Sequence, residues 1–393
     1  MKSLFLCHHT PYLDEVRTIA EELSVRGVVP WVAPDGGFSF GDVSEDRARR
    51  VIREDCFGLA LYATPGALKR PFIQRVELGE AIAVKRSRPD FVLAAILRKT
   101  SFAAVATASA AFLDHDLTQY IGADFTAADR IDASRFARSI LAARVRAMPR
   151  MTVVPLQFST RELLPDEPSD LLRVNAVPLL DRRGLVAWPV VAAGLDDVRS
   201  ELSAHQGRPL LRVHGSRDLV GGFVFGHAFR RASGFEFEMR VRDGWWTTLD
   251  DPGATLKLGR ARSGPSRASS LAVSLTTTDK KPAVAIRAES VTAAILDLEA
   301  RAPARGMTNA EALGLARRVR EAIIDAVDDS GATRVSLYAA IPMGLAMLVG
   351  RELNALPPVT VHHWDGRSYR PAITLWSKHN AVDEGLEPAT SDR

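Results

Sequence analysis

Over the first 150 residues, short continuous apolar runs alternate with stretches whose apolar positions recur every three or four residues. That alternation predicts a parallel sheet wrapped by helices. Residues 3–7 read as a first strand; Leu13, Val16, Ile19, Ala20 and Leu23 then share a helical face, and Gly27 closes the helix. Residues 28–32 read as a second strand, and Pro30 puts it at a sheet edge, because proline cannot donate to a ladder. Apolar runs at 57–62 and 91–97 predict buried parallel strands with a helix over 72–85 between them. After Asp132, the predicted N-cap, Phe136, Ile140, Ala143 and Ala147 form another helical face. The expected sheet is five-stranded and doubly wound, in the order 2-1-3-4-5, where strand two is an edge.

The second half repeats the alternation less regularly. Phe235, Phe237, Met239 and Val241 alternate with Glu236, Glu238, Arg240 and Arg242, a strand with one wet face. Residues 271–277 read as a strand that ends in threonines. Thr308 and Glu311 have capping-box spacing and open a helix with Ala312, Leu315, Ala316, Val319, Ile323 and Ala326 inward. Residues 334–341 form a strand that runs through Pro342-Met343-Gly344 into a helix over 345–353, and strands follow at 359–364 and 372–376. The stretch 253–270, rich in Gly, Ser and Arg, reads as a loop, and 379–393 as a polar tail.

Composition narrows the function classes. Lys plus Arg number 51 against 47 Asp plus Glu, so no general basic character marks a DNA- or RNA-duplex binder. Cys7 and Cys56 are too few for a disulfide framework, and no Cys/His spacing fits a metal site. The apolar stretch at 335–350 is interrupted by Ser336, Pro342 and Gly344 and is too short for a membrane span; the start of the chain is not that of a signal peptide. The expectation is a cytoplasmic protein.

Open parallel sheets bind ligands beyond the carboxyl ends of their strands. In the first domain that edge carries Cys7-His8-His9-Thr10, a glycine-rich loop with Asp35 and Asp42, and the carboxylates Glu77 and Glu80. No Walker loop, GxGxxG or nucleophile elbow is present. The runs SLFLCHH, GVVPWVAPDGGFSFGD, FGLALYATP and FIQRVELGEAI, in that order, resemble a bacterial TIR domain over residues 1–150, which implies a flavodoxin-like fold. In that family a loop after strand two gates the site, and a Glu on the third helix, followed by Leu or Ile, cleaves the nicotinamide–ribose bond of NAD+. Glu77-Leu78 matches that position. Phe72 stands five residues before Glu77 where the family has an aromatic four before, so Glu80 is the second candidate. A carboxylate there would stabilise an oxocarbenium-like ribose. His8, Trp31 and Asp35 are the expected NAD+ contacts, with no metal and no cofactor, NAD+ being the substrate.

The runs FVFGHAFRRASGFEFEMRV, LAVSLTTT, VSLYAAIPMGLAMLVGRELN and VTVHHWDGRSY resemble the SAVED domain, assigned here to residues 151–378. The resemblance implies two fused CARF-like, Rossmann-type units that bind a cyclic oligonucleotide, with a cyclic tri-adenylate the expected ring. Thr276, Thr277 and Thr278 at one strand end and Pro342, Met343 and Gly344 at a helix N-terminus are the expected contacts, with Arg217, Arg230 and Arg231 supplying charge. Trp245-Trp246 and His362-His363-Trp364 can stack on bases, but alternate strand positions favour packing. Together the two resemblances imply an antiphage effector of cyclic-oligonucleotide signalling: nucleotide assembles copies into a homo-oligomer or filament, and the TIR part then cleaves NAD+ to nicotinamide and ADP-ribose. Release of cyclic ADP-ribose, or a TIR part that serves only as an adaptor, are the alternatives.

Overall fold

The computed structural model describes residues 2–32, 45–108, 121–125, 130–161, 172–179, 187–215, 217–242, 244–252, 256–279, 282, 286, 293–302 and 306–376. Asp35, most of the loop that holds it and the polar tail lie outside the described residues. The chain divides into two compact units, Met1–Ser216 and Arg217–Arg393.

The first unit opens with β1 (Ser3–Cys7), α1 (Leu13–Ser24), β2 (Pro30–Val32), α2 (Glu45–Arg50), β3 (Cys56–Ala63), α3 (Gly79–Ser87), β4 (Val92–Arg98), α4 (Phe102–Ala108), β5 (Ile121–Phe125) and α5 (Arg130–Ala147). The strands form a parallel sheet in the order β2-β1-β3-β4-β5, with Pro30 on an edge strand. β3 is buried at every position, so its continuous apolar run is a strand covered on both faces. The predicted single helix over 72–85 is two elements: a π-helical stretch, Phe72–Leu78, followed by α3. Asp132 is not the N-cap of α5, which begins at Arg130 and holds Asp132 in its first turn, where a carboxylate still favours the helix. The unit continues with β6 (Val153–Ser159), β7 (Leu172–Asn175), α6 (Trp188–Gln206) and β8 (Leu210–His214); β6 pairs in parallel with both β7 and β8.

α1, α5 and α6 are tied together by a buried charge cluster. Arg26 just beyond α1 is 1% exposed and reaches Glu22 at 2.5 Å, Asp197 of α6 at 2.9 Å and the Ser134 hydroxyl of α5 at 2.5 Å. Arg130 meets Glu22 at 3.0 Å, and Arg138 meets Asp197 at 3.4 Å. A buried guanidinium is tolerated because its N–H groups find oxygens.

The second unit begins with α7 (Leu219–Ala228), capped by the Asp218 carboxylate, which accepts from the Gly221 amide at 2.7 Å. β9 (Phe237–Val241) and β10 (Gly244–Thr247) form an antiparallel hairpin. Then come β11 (Leu258–Ser263), β12 (Ser270–Thr276), β13 (Ala294–Ala300), α8 (Asn309–Ser330), β14 (Arg334–Ala340), α9 (Met343–Glu352), β15 (Val359–Trp364) and β16 (Tyr369–Leu375). They make a sheet ordered β11-β13-β12-β14-β15-β16, parallel in the middle with antiparallel edges.

The expected loop at 253–270 is corrected here: its centre is the edge strand β11. Leu258 is buried, and Arg260 and Arg262 reach Asp325 at 3.0 Å and Asp329 at 2.6 Å on α8. These tertiary partners override the loop-like composition. The apolar stretch at 335–350 is most of β14 and α9, and no described helix is long and apolar enough to cross a membrane. α7 and α9 pack backbone to backbone. A Cβ on Gly226 would lie 2.0 Å from the Met347 carbonyl oxygen, and one on Gly350 would lie 2.4 Å from that of Phe223. Only glycine permits this approach.

Candidate functional sites

In the first unit the carboxyl end of β1 meets the π-helical stretch that carries Glu77. A π-helical turn sets its side chains out of α-helical step, and such turns are frequent at functional sites. Glu77 is 6% exposed, and its Oε2 accepts a hydrogen bond from the Cys7 Sγ at 2.7 Å. Burial pushes its carboxyl from 4.5 up to about 7, against a smaller downward pull from the Cys7 bond. Burial, with Glu77 beside it, pushes the Cys7 thiol well up, so it stays protonated and donates.

Glu80, the second candidate, is equally buried but differently held. Arg53 lies 2.9 Å from it and Arg49 3.7 Å. Two guanidinium groups fix Glu80 as a structural anion, whereas Glu77 has a thiol for its partner. A carboxyl poised near neutrality, with no ion pair among the described residues, suits work on a reacting group better than a neutralised one.

His8 and Trp31 stand at the same sheet edge. The His8 Nδ1 donates to the Leu6 carbonyl at 3.1 Å. The Trp31 ring stacks on Phe5 with centroids 4.5 Å apart and planes 16° from parallel. One face of the indole therefore serves the core. His9, which the sequence did not single out, takes a hydrogen bond from Arg70 on Nε2 at 2.9 Å. Burial, then Arg70, lowers its pKa from the usual imidazole value.

The second unit holds an open cavity of about 640 Å³ beneath the β9–β10 hairpin. Arg242, Trp245 and Trp246 line one side, Thr308 and Asn309 another, and Pro342, Met343 and Gly344 a third. Two helix N-termini converge on it, and they differ. At α8 the capping box is closed: Thr308 Oγ1 accepts from the Glu311 amide, and the Glu311 carboxylate accepts from the Thr308 amide at 2.8 Å. At α9 the N-cap is Pro342, which has no side chain to cap with. The first amides of α9 are thus the pole open to an anion, with the Arg242 charge lining the same cavity.

The hairpin is anchored to this frame. Asn309 Oδ1 accepts from the Thr247 amide at 3.1 Å, while its Nδ2 donates to the Thr247 carbonyl at 3.0 Å and to Asp250 at 2.6 Å. Trp246 is 9% exposed and packs down on Gly344; Trp245 is 45% exposed and presents its ring. The two tryptophans of the pair thus differ in exposure.

Pro342, Met343 and Gly344, expected contacts, line the cavity together. Thr276, Thr277 and Thr278 do not line it. Thr276 Oγ1 donates to the Thr278 carbonyl at 2.9 Å and accepts from the Thr278 amide at 3.2 Å, closing β12 locally. The Thr277 amide donates to the Ala340 carbonyl at 3.2 Å, which ties the threonine turn to the strand that enters α9. Arg217 is also away from the cavity: it is 8% exposed and donates to Met347 Sδ of α9 at 3.3 Å and to the Arg240 carbonyl at 3.4 Å. Arg230 donates to the His227 carbonyl, and Arg231 lies 3.8 Å from Glu352. His362 stacks on Tyr338 at 4.1 Å. Arg242 and Asn309 were missed in the sequence; the signal for them was their place beside a hairpin glycine, Gly244, and at the first position of a capped helix.

Comparison with known proteins places a name on part of this architecture. Residues 195–375 match the family described as the SMODS-associated and fused to various effectors sensor domain, SAVED. This chain carries a SAVED domain there. Among solved structures, the Cap4 SAVED/CARF-domain containing receptor of Acinetobacter baumannii with the cyclic trinucleotide 2'3'3'-cAAA is similar at 13% identity and TM-score 0.49, covering 95% of this chain and 88% of that one. The same receptor with 3'3'3'-cAAA gives 12% identity, TM-score 0.49 and the same coverage. The Cap4 receptor of Moraxella osloensis gives 13% identity and TM-score 0.44, covering 93% of this chain and 98% of that one. No curated protein matches the chain.

Proposed function

We propose that this chain is a nucleotide-gated effector: its SAVED domain binds a cyclic oligonucleotide, a cyclic tri-adenylate, and its N-terminal TIR-like domain then cleaves NAD+ to nicotinamide and ADP-ribose in antiphage defence. The observation that carries the sensor half is the cavity under the β9–β10 hairpin. An exposed tryptophan there offers a stacking surface, and the uncapped N-terminus of α9 and Arg242 offer partners for phosphate. A volume of about 640 Å³ is that of a small-molecule site. Supporting the effector half is Glu77, a buried carboxyl near neutrality beyond the carboxyl end of β1. As a carboxylate it would stabilise positive charge developing on the ribose as neutral nicotinamide departs.

Gating follows if nucleotide brings several copies together and NAD+ cleavage needs neighbouring N-terminal domains. The test is direct. Purified full-length protein is titrated calorimetrically with cyclic di-, tri- and tetra-adenylates, and nicotinamide release from NAD+ is followed by chromatography with and without each. Tri-adenylate is expected to bind and to switch on release. Binding without release would leave an adaptor, and absence of binding by any ring would overturn the sensor reading.

A further inference from the structure

We infer that Cys7 is a positioning residue for Glu77: its thiol, donating to Oε2, fixes the direction of the carboxyl at the carboxyl end of β1, an inference that rests on the proposed action of Glu77 on NAD+. Two carboxylates stand on the same stretch of helix, three residues apart, and they are held by opposite means. Glu80 is gripped by Arg49 and Arg53. Glu77 is held by a thiol at 2.7 Å. A guanidinium fixes both the direction and the charge of a carboxylate; a thiol, a weak neutral donor, fixes its direction and leaves its charge available. The bond uses Oε2, and Oε1 takes no part in it.

The surroundings assign this role to Cys7 alone among the described residues. α2, which packs against the Glu77 stretch, and the π-helical Val51–Asp55 that follows it, which packs against α3, send Arg49 and Arg53 to Glu80, and Lys69 of the turn before the Glu77 stretch is exposed. On the β1 side, His8 is engaged with the Leu6 carbonyl. The second cysteine is an internal control: Cys56 is also buried, its thiol pushed up to about 12, but it sits at the start of β3 where Asp55, Arg88 and Lys2 act on it, and Glu77 does not.

The experiment uses the full chain with cyclic tri-adenylate and compares the pH dependence of kcat/KM for wild type, Cys7→Ala, Cys7→Ser and Cys56→Ala. Cys7→Ala is expected to lower kcat roughly tenfold, as loss of one hydrogen bond to a charged group would, with KM little changed. Its acid limb should move to higher pH, because the donor that favours the carboxylate is gone. Cys7→Ser, which keeps a donor, should restore the limb, and Cys56→Ala should match wild type. An acid limb unmoved in Cys7→Ala overturns the proposal. A second readout does not depend on NAD+: in the Cys56→Ala background the single S–H infrared stretch belongs to Cys7, and Glu77→Ala should shift it toward the free-thiol position. An unshifted band overturns the proposal whatever the activity. A shifted band beside a wild type that binds nucleotide yet releases no nicotinamide overturns instead the NAD+ reading of Glu77.

Discussion

Gly344 at the start of α9 lies so close to Trp246 that a Cβ added there would sit 3.1 Å from the indole ring and as close to Val241. The first turn of the helix and the hairpin above it are therefore in direct register, and the cavity floor exists because position 344 has no side chain. Gly344→Val is expected to push Trp246 and the hairpin outward. Calorimetry should show cyclic-nucleotide affinity at least about tenfold weaker, a loss of roughly 1.4 kcal/mol, with the protein still folded by circular dichroism.

Trp245 separates stacking from packing. With its ring exposed, Trp245→Ala should leave the melting temperature nearly unchanged while weakening nucleotide binding by about 1–3 kcal/mol, the range for loss of one base–aromatic stack. Trp245→Phe should recover most of that affinity. Equal binding by Trp245→Ala and wild type would remove the indole from the site.

Acid and base act in opposite senses on the two units. The Glu77 carboxyl is lifted from 4.5 to about 7, so between those values the folded unit holds a proton that the unfolded chain has released, and stability falls as pH rises through the window. Glu77→Gln should therefore melt higher than wild type at pH 8, by up to about 3 kcal/mol of stability, with the gap closing toward pH 4.5. In the second unit burial lowers His362 from 6.5 to about 4. There the unfolded chain takes up a proton first, so stability is lost as pH falls from 6.5 to 4, and His362→Phe should flatten that loss. Calorimetric melts across pH 4–8 check both slopes.

The Arg26 cluster predicts where the N-terminal part can be cut. Removing one partner of a buried ion pair is strongly destabilising, so Arg26→Ala should lower stability by about 3 kcal/mol in urea unfolding. A fragment ending at residue 150 lacks Asp197 and also Gln206, whose amide donates to the Val145 and Met148 carbonyls at 3.1 and 3.2 Å. It should unfold at lower urea than a fragment ending at residue 216.

The sequence carried the strands well where burial is total. Residues 3–7 coincide with β1, and β3 and β4 are placed to within a position, because a strand covered on both faces writes an unbroken apolar run; residues 359–364 coincide with β15 although its burial alternates. The capping box at Thr308 and Glu311 was legible for the same local reason: both partners lie within four residues. β11 was not, since its hold on the sheet comes from antiparallel pairing with β13, a strand distant in sequence, and from the burial of Leu258, neither of which its Gly-, Ser- and Arg-rich composition announces. The cavity of the second unit was half legible. Pro342 to Gly344 announced themselves as a strand-to-helix turn, whereas Arg242 and Asn309 join them only through the tertiary placement of the hairpin. Likewise, sequence offered Glu77 and Glu80 as near equals, and only the placement of Cys7 against one and Arg53 against the other tells them apart.

The SAVED match begins at residue 195, in the middle of α6, which runs from Trp188 to Gln206 and offers Asp197 to Arg26. The boundary of the inherited module and the boundary of mechanical integrity are thus different lines. A recombination event, or an engineer, that swapped effectors at residue 195 would split a helix and strand a carboxylate without its cation. A graft joined after residue 216 would carry the helix with its original neighbour and lose nothing from the charge cluster. For this chain, a cut at the family boundary leaves Asp197 to be answered by whatever is joined there, and a cut after residue 216 does not.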